Sequence, residues 1–339
     1  MSLKTNANTL SELPFKRLLK NSAILFSGNL WVSVLGLISF ALTANALGAE
    51  KFGLLVLVTT YVVVIDKLVN FQAWRALIKY GSDSLGANQQ VGFRALVKVC
   101  SIIDFASALL AVFVANSGVY LVAHLMEWPE DTVNIVSIYS LVLLFRLSGT
   151  PTAVLRIFDQ FRAFIIRGVV SSSLKLTGVI IVFYLEGGIV EFLWVWAVTD
   201  VVGQLLLLVA GWTELKKQGI HNIRNVSTRK IGKRFPGFWQ FVWAMGVDST
   251  VYVGREIDVY IIGGLLSLEE VATFKVAKQI ASVLLKFIDP VYTAIYPELA
   301  KLRSSDNHKH FLIVIKKSSL ILGSMMLIPL IGFIVLGDF

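Results

Sequence analysis

Residues Ser267–Leu302 read SLEEVATFKVAKQIASVLLKFIDPVYTAIYPELAKL. The stretch is long and apolar enough to cross a bilayer, yet it carries lysines where lipid would reject them. Lys275, Lys278, Ser282 and Lys286 follow one another at spacings of three, four and four. At 3.6 residues per turn they share one helical face, which Asp289 continues before Pro290. A membrane helix with such a stripe has to turn it toward protein or water, so the spacing predicts a wet surface inside the membrane.

The rest of the chain agrees with a membrane setting. Apolar residues make up 56% of the 339 and charged residues only 16%. The mean hydropathy is +0.73. This composition is that of a polytopic membrane protein. The single cysteine, Cys100, excludes an internal disulfide framework and a multi-cysteine metal site. The apolar run that follows Lys20 is too long for a signal-peptide core and reads as an uncleaved first span.

Spans are predicted at about 22–47, 53–74, 96–124, 133–155, 165–186, 190–212, 237–264, 268–299 and 311–336. The net charge of +9 follows this topology and does not point to nucleic acid. With the N-terminus inside, the loop lysines and arginines gather on the cytoplasmic side, and Lys51 is the outer exception. Glu127, Glu130, Asp131, Glu186 and Glu191 lie outside, as the positive-inside rule requires. The expected organisation is a bundle of six spans over 1–212, a basic cytoplasmic linker over 213–236, and a second bundle of three spans over 237–339. Ile220, Ile223, Val226 and Ile231 give the linker loosely helical spacing. It is expected either to lie on the anionic inner leaflet or to be an ordinary solvated loop. A weak internal repeat aligns Glu50 with Glu269 and Lys67 with Lys286, so the second bundle is expected to be incomplete at Phe339.

Ionisable residues inside the spans cost roughly 2.5–3.5 kcal/mol each at a helix centre. They are Asp66, Lys67, Asp104, Arg146, Lys175, Asp200, Asp248, Arg255, Glu256, Asp258, Lys275, Lys278, Lys286 and Asp289, with cations and anions in equal number. Mutual pairing is one account. Depth in the bilayer suggests Lys175 with Asp200, Asp66 with Arg146, Asp258 with Lys275, and Asp248 with Lys286. Lys278, Arg255 and Glu256 then extend a polar site over several turns, which points to a water-filled cavity facing substrate, since buried ion pairs seldom add stability. Lys278 is the cation expected to meet that substrate. Phosphate loops, metal-spaced His or Cys clusters and a Gly-x-Ser-x-Gly elbow do not occur in the sequence, so neither an enzyme nor a cofactor is expected.

Three stretches carry a resemblance. Leu47-Gly48-Ala49-Glu50-Lys51-Phe52-Gly53 resembles the outer-hairpin signature of polysaccharide-unit flippases, in the superfamily that includes lipid II flippases and multidrug extruders. Gly149-Thr150-Pro151-Thr152-Ala153-Val154-Leu155-Arg156, with Asp159 and Arg162, is similar to the family's exit from the fourth span. Asp258-Val259-Tyr260-Ile261-Ile262-Gly263-Gly264-Leu265, followed by Tyr296-Pro297-Glu298-Leu299, is similar to its seventh-to-eighth hairpin.

The resemblance implies an all-α polytopic fold, with two transmembrane bundles around a central cavity that opens alternately to each side. It also implies transport of a polyprenyl-diphosphate-linked oligosaccharide across an inner membrane for O-antigen-type polysaccharide assembly. Polysaccharide polymerase and glycosyltransferases would be partners, and membrane lipids the surroundings. Substrate contacts would fall on Lys67, Arg255, Lys275, Lys278 and Lys286. Asp66, Asp248, Glu256 and Asp258 would gate those cations or bind a coupling ion. One departure is that the first span has no arginine and offers polar residues such as Ser27, Asn29, Ser33, Thr43 and Asn45. The other is length, since relatives have twelve or more spans. A cation-coupled multidrug extruder and a non-transporting scaffold for polysaccharide enzymes are the competing expectations.

Overall fold

The computed structural model describes residues 6–87, 89–126 and 128–286, with 315, 316, 319, 320 and 323 beyond them. The described residues contain helices and no strand. Two units separate, residues 1–37 with 276–339 and residues 38–275. Among the described residues, five segments are long and apolar enough to cross a membrane: Leu30–Val69, Gln90–Leu125, Glu130–Ile157, Arg162–Tyr184 and Ile189–Lys217. Many of their large apolar side chains point outward, among them Phe113, Leu121 and Tyr184. Lipid accepts such faces as readily as a core does, so these helices are apolar all round.

The first two predicted spans form α1 (Asn6–Val69), divided at Gly48, whose φ of 73° and ψ of 166° are not helical. Glycine reaches that conformation without a Cβ clash, which explains the first glycine of the outer-hairpin signature. The second, Gly53, has another role: a Cβ there would lie 1.9 Å from the Leu268 carbonyl oxygen. The turn between the first two spans thus meets the start of the eighth backbone to backbone.

The second span stops at Val69, short of the predicted residue 74. Asn70 Oδ1 accepts the Gln72 N–H at 2.9 Å, and Gln72 turns left-handed at φ 48°. This side-chain bond offers the backbone a turn in place of another helical step. A separate helix, α2 (Ala73–Gly86), follows where only a basic loop was expected. Ala73, Ala76, Leu77, Gly81 and Ser84 are its buried face, at spacings of three and four. They pack on α3 (Gln90–Leu125) through Phe93, Leu96, Val97 and Cys100.

The fourth span is broken. α4 (Glu130–Tyr139) tightens into a 3₁₀ segment, Ser140–Phe145, and helix resumes only at α5 (Gly149–Ile157). Asp104 of α3 caps the restart, accepting the Thr150 N–H at 2.6 Å and the Thr150 hydroxyl at 2.7 Å. A Cβ at residue 149 would lie 2.7 Å from Asp104 Oδ1, so the cap needs glycine there. Pro151 costs no hydrogen bond in this first turn.

α6 (Arg162–Tyr184) and α7 (Ile189–Lys217) cover the fifth and sixth spans, and the short helix α8 (Ile231–Arg234) follows in the linker. The linker's apolar residues meet protein on one side: Ile220, Ile231 and Phe235 are buried in the cluster made by α2 and α3, and Ile223 and Val226 pack against it. The seventh span divides into α9 (Phe238–Val251), a 3₁₀ turn at Tyr252–Arg255, and α10 (Ile257–Leu265). The opening stretch begins α11 (Leu268–Lys286). Asp289, Tyr296–Leu299 and most of the ninth span lie outside the described residues.

Removing the Asp104 cap strands a buried N–H and hydroxyl at the head of α5, at about 1–3 kcal/mol per unsatisfied group. Asp104→Ala is expected to lower the unfolding temperature of the purified protein in detergent, and Thr150→Ser to leave it near that of the wild type. Equal unfolding temperatures for wild type and Asp104→Ala would contradict this account.

Candidate functional site

The embedded charges of residues 38–275 fall into three groups, each made by a local break in a span. The first is centred on Arg146, the residue that ends the 3₁₀ segment of the fourth span. Its Nη1 donates to Asp66 Oδ2 at 2.7 Å and its Nη2 to Asp200 Oδ2 at 3.3 Å. One guanidinium thus ties the second, fourth and sixth spans, its planar fork serving two carboxylates at once. The expected Asp66–Arg146 pair is present. The expected Lys175–Asp200 pair is corrected: Asp200 turns to Arg146, while the Lys175 ammonium sits 3.2 Å from the centroid of the Trp196 ring. An aromatic face close by attracts a desolvated cation without a second carboxylate.

The second group is centred on Asp248. Asp248, expected opposite Lys286, accepts Arg75 Nη1 at 2.6 Å. Gln72 Nε2 donates to Ser249 Oγ one residue further on. Arg75 reaches across because α2 brings it there. It was read as a loop charge, and only the three-and-four spacing of the buried residues of α2 would have signalled otherwise. Arg156 and Arg75 both lie over the Trp74 ring, at 4.6 and 5.5 Å. The Lys286 side chain lies outside the described residues.

The third group is the candidate site. Glu256, at the end of the 3₁₀ turn in the seventh span, holds its carboxylate between two lysines. Lys67 of the second span is 3.6 Å from Oε1, and Lys275 of the eighth is 3.6 Å from Oε2. All three side chains are partly exposed. A helical seventh span would give Glu256 no such freedom of direction, and the 3₁₀ turn rotates it out of register. Asp258, in the first turn of α10, accepts the Val259 N–H at 2.8 Å. Tyr260 donates to the Leu57 carbonyl at 3.0 Å and fixes α10 against the second span. Lys278 lies one turn beyond Lys275 on α11 and is half-buried. The Arg255 side chain lies outside the described residues.

The structure therefore brings Lys67, Glu256 and Lys275 together, and commits Asp66 to Arg146 and Asp248 to Arg75. Chemically, a carboxylate between two ammonium groups of different spans is an exchangeable anion position. Phosphate oxygens carry the charge and acceptor geometry to take its place. Among the described residues there is no group of three His, Cys, Asp or Glu able to hold a metal ion.

Removing the Arg146 guanidinium leaves two half-buried carboxylates facing each other, at about 3–5 kcal/mol for a broken buried pair. Arg146→Met is expected to reduce thermal stability sharply, and Asp66→Asn in the same chain to restore part of the loss. A thermal denaturation series in which Arg146→Met matches wild type would refute the three-span tie.

Comparison with known proteins follows the same lines. Inner membrane protein YghQ of Escherichia coli (strain K12) is 24% identical over 331 residues, 95% of this chain and 91% of that protein. Among solved structures, a multidrug resistance MATE family transporter of the MOP superfamily, inward-facing, superposes with a TM-score of 0.63 at 17% identity. The match covers 93% of this chain and 70% of that one. A MOP superfamily transporter from Pyrococcus furiosus, described as having a binding pocket of reverse polarity, matches with the same score at 16% identity, over 95% and 72% of the two chains. The fold is that of MOP-superfamily transporters. Residues 18–303 match the polysaccharide biosynthesis protein family, and the chain belongs to that family.

Proposed function

We propose that this protein flips a lipid-linked oligosaccharide across an inner membrane for surface polysaccharide assembly, by alternating access. The observation that carries the reading is the Glu256 carboxylate held between Lys67 and Lys275 at the break of the seventh span. A polyprenyl-diphosphate head would take the place of that carboxylate, leaving its tail in lipid. Lys278 follows Lys275 one turn along α11, and Arg255 and Lys286 join the proposed contacts by sequence position alone. Displaced from the lysines, Glu256 becomes the gating group, with Asp258 close by in sequence. Asp66 and Asp248 are engaged by Arg146 and Arg75, which withdraws them from the lysine face. The inner-membrane setting rests on the YghQ relative and on the spans, and the cytoplasmic N-terminus on the positive-inside distribution. Polymerase and glycosyltransferases of the same assembly line are the partners this role implies.

The MATE neighbours favour one second reading, a cation-coupled extruder. It would use carboxylates facing an aromatic cavity and gain nothing from lysines. Lys275→Ala and Lys278→Ala are each expected to abolish polysaccharide export in a complementation assay at unchanged membrane abundance. Full export by both variants would overturn the flippase reading. Hypersensitivity of a deletion strain to organic cations, with polysaccharide intact, would establish the extruder instead.

A further inference from the structure

The last turn of α7 and the chain reversal after it enclose a pocket of about 730 Å³, lined by Trp212, Leu215, Lys216, Ile220, His221 and Arg224 among others. No carboxylate lines it. The reversal is firmly held. Gly219 and Asn222 take positive φ of 70° and 58°. Lys98 Nζ donates to the carbonyls of Arg224 and Val226 at 2.7 and 2.9 Å, and Ile220 is buried. Lys216, His221 and Arg224 remain exposed around it.

The helix leading to this pocket is graded along one face. Leu205, Val209, Trp212 and Lys216 follow at spacings of four, three and four, so they form a single stripe. Leu205 and Val209 are exposed within a membrane-crossing segment. The stripe runs apolar, then aromatic, then cationic over about 16 Å. One leaflet of hydrocarbon is about 15 Å thick, with tryptophan favoured at its boundary.

We infer that the pocket binds the phosphate headgroup of an anionic phospholipid, with an acyl chain lying along Leu205 and Val209. Arg224 and Lys216 supply the charge-assisted donors for the phosphate. A zwitterionic headgroup would bring an ammonium into a pocket with no carboxylate to receive it.

The test uses the full chain purified in detergent, titrated separately with phosphatidylglycerol and phosphatidylethanolamine and read by native mass spectrometry. Wild type is expected to retain phosphatidylglycerol preferentially. The Lys216→Gln/Arg224→Gln double variant is expected to lose about thirtyfold in apparent affinity for it, with phosphatidylethanolamine unchanged. If the double variant aggregates, each single variant carries the test with about a fivefold loss. Lys230→Gln/Lys233→Gln, from the same basic segment but outside the pocket, is expected to bind as wild type. Unchanged retention in the double variant, an equal loss in the Lys230/Lys233 control, or displacement of the lipid by millimolar inorganic phosphate would each overturn the inference.

Discussion

Charge inside a membrane has to be matched locally, because neither water nor a high dielectric is there to compensate it. In this protein the match is made at breaks in helices. Arg146 can reach both Asp66 and Asp200 because the fourth span tightens to 3₁₀ just before it and stops being helical after it. Asp104 then closes the exposed amides where helix resumes. A straight fourth span would carry the guanidinium past one of its two carboxylates. The break, the triple tie and the capped restart form one device, and the second, third, fourth and sixth spans are joined by it.

The same logic operates in the seventh span. Its 3₁₀ turn presents Glu256 to lysines of the second and eighth spans, while Tyr260 pins the helix that follows. The two breaks differ in consequence. At Arg146 the cation bonds at 2.7 Å to one carboxylate and also engages a second, a geometry suited to structure. At Glu256 both contacts are 3.6 Å, longer than a hydrogen bond, at the same partial exposure as the Arg146 group, so an incoming anion has weaker contacts to replace there. This contrast separates a tie from a site better than the presence of charge does.

The glycines of the family-like stretches also acquire physical roles. Gly48 provides a backbone conformation, Gly53 a backbone-to-backbone contact with Leu268, and Gly149 room for the Asp104 carboxylate. These constraints are steric and local, each set by one glycine and its immediate neighbours.

Much was legible from the chain alone, because hydrocarbon imposes simple rules. Length and hydropathy determined the all-helical membrane fold. The Asp66–Arg146 pair followed from depth. Partner choice elsewhere did not, since depth orders residues along the membrane normal and says nothing of azimuth. Thus Asp200 went to Arg146 and not Lys175, and Asp248 took Arg75, a charge that the sequence places in a loop. α2 was hidden because its buried face is mostly alanine and glycine, whose periodicity a hydropathy reading barely registers. The apolar residues of the linker read as suited to a membrane surface or a solvated loop, and their packing against α2 and α3 is visible only in the tertiary structure. Sequence determined which charges had to be compensated; tertiary structure decided by which partner, because compensation depends on where backbones bend.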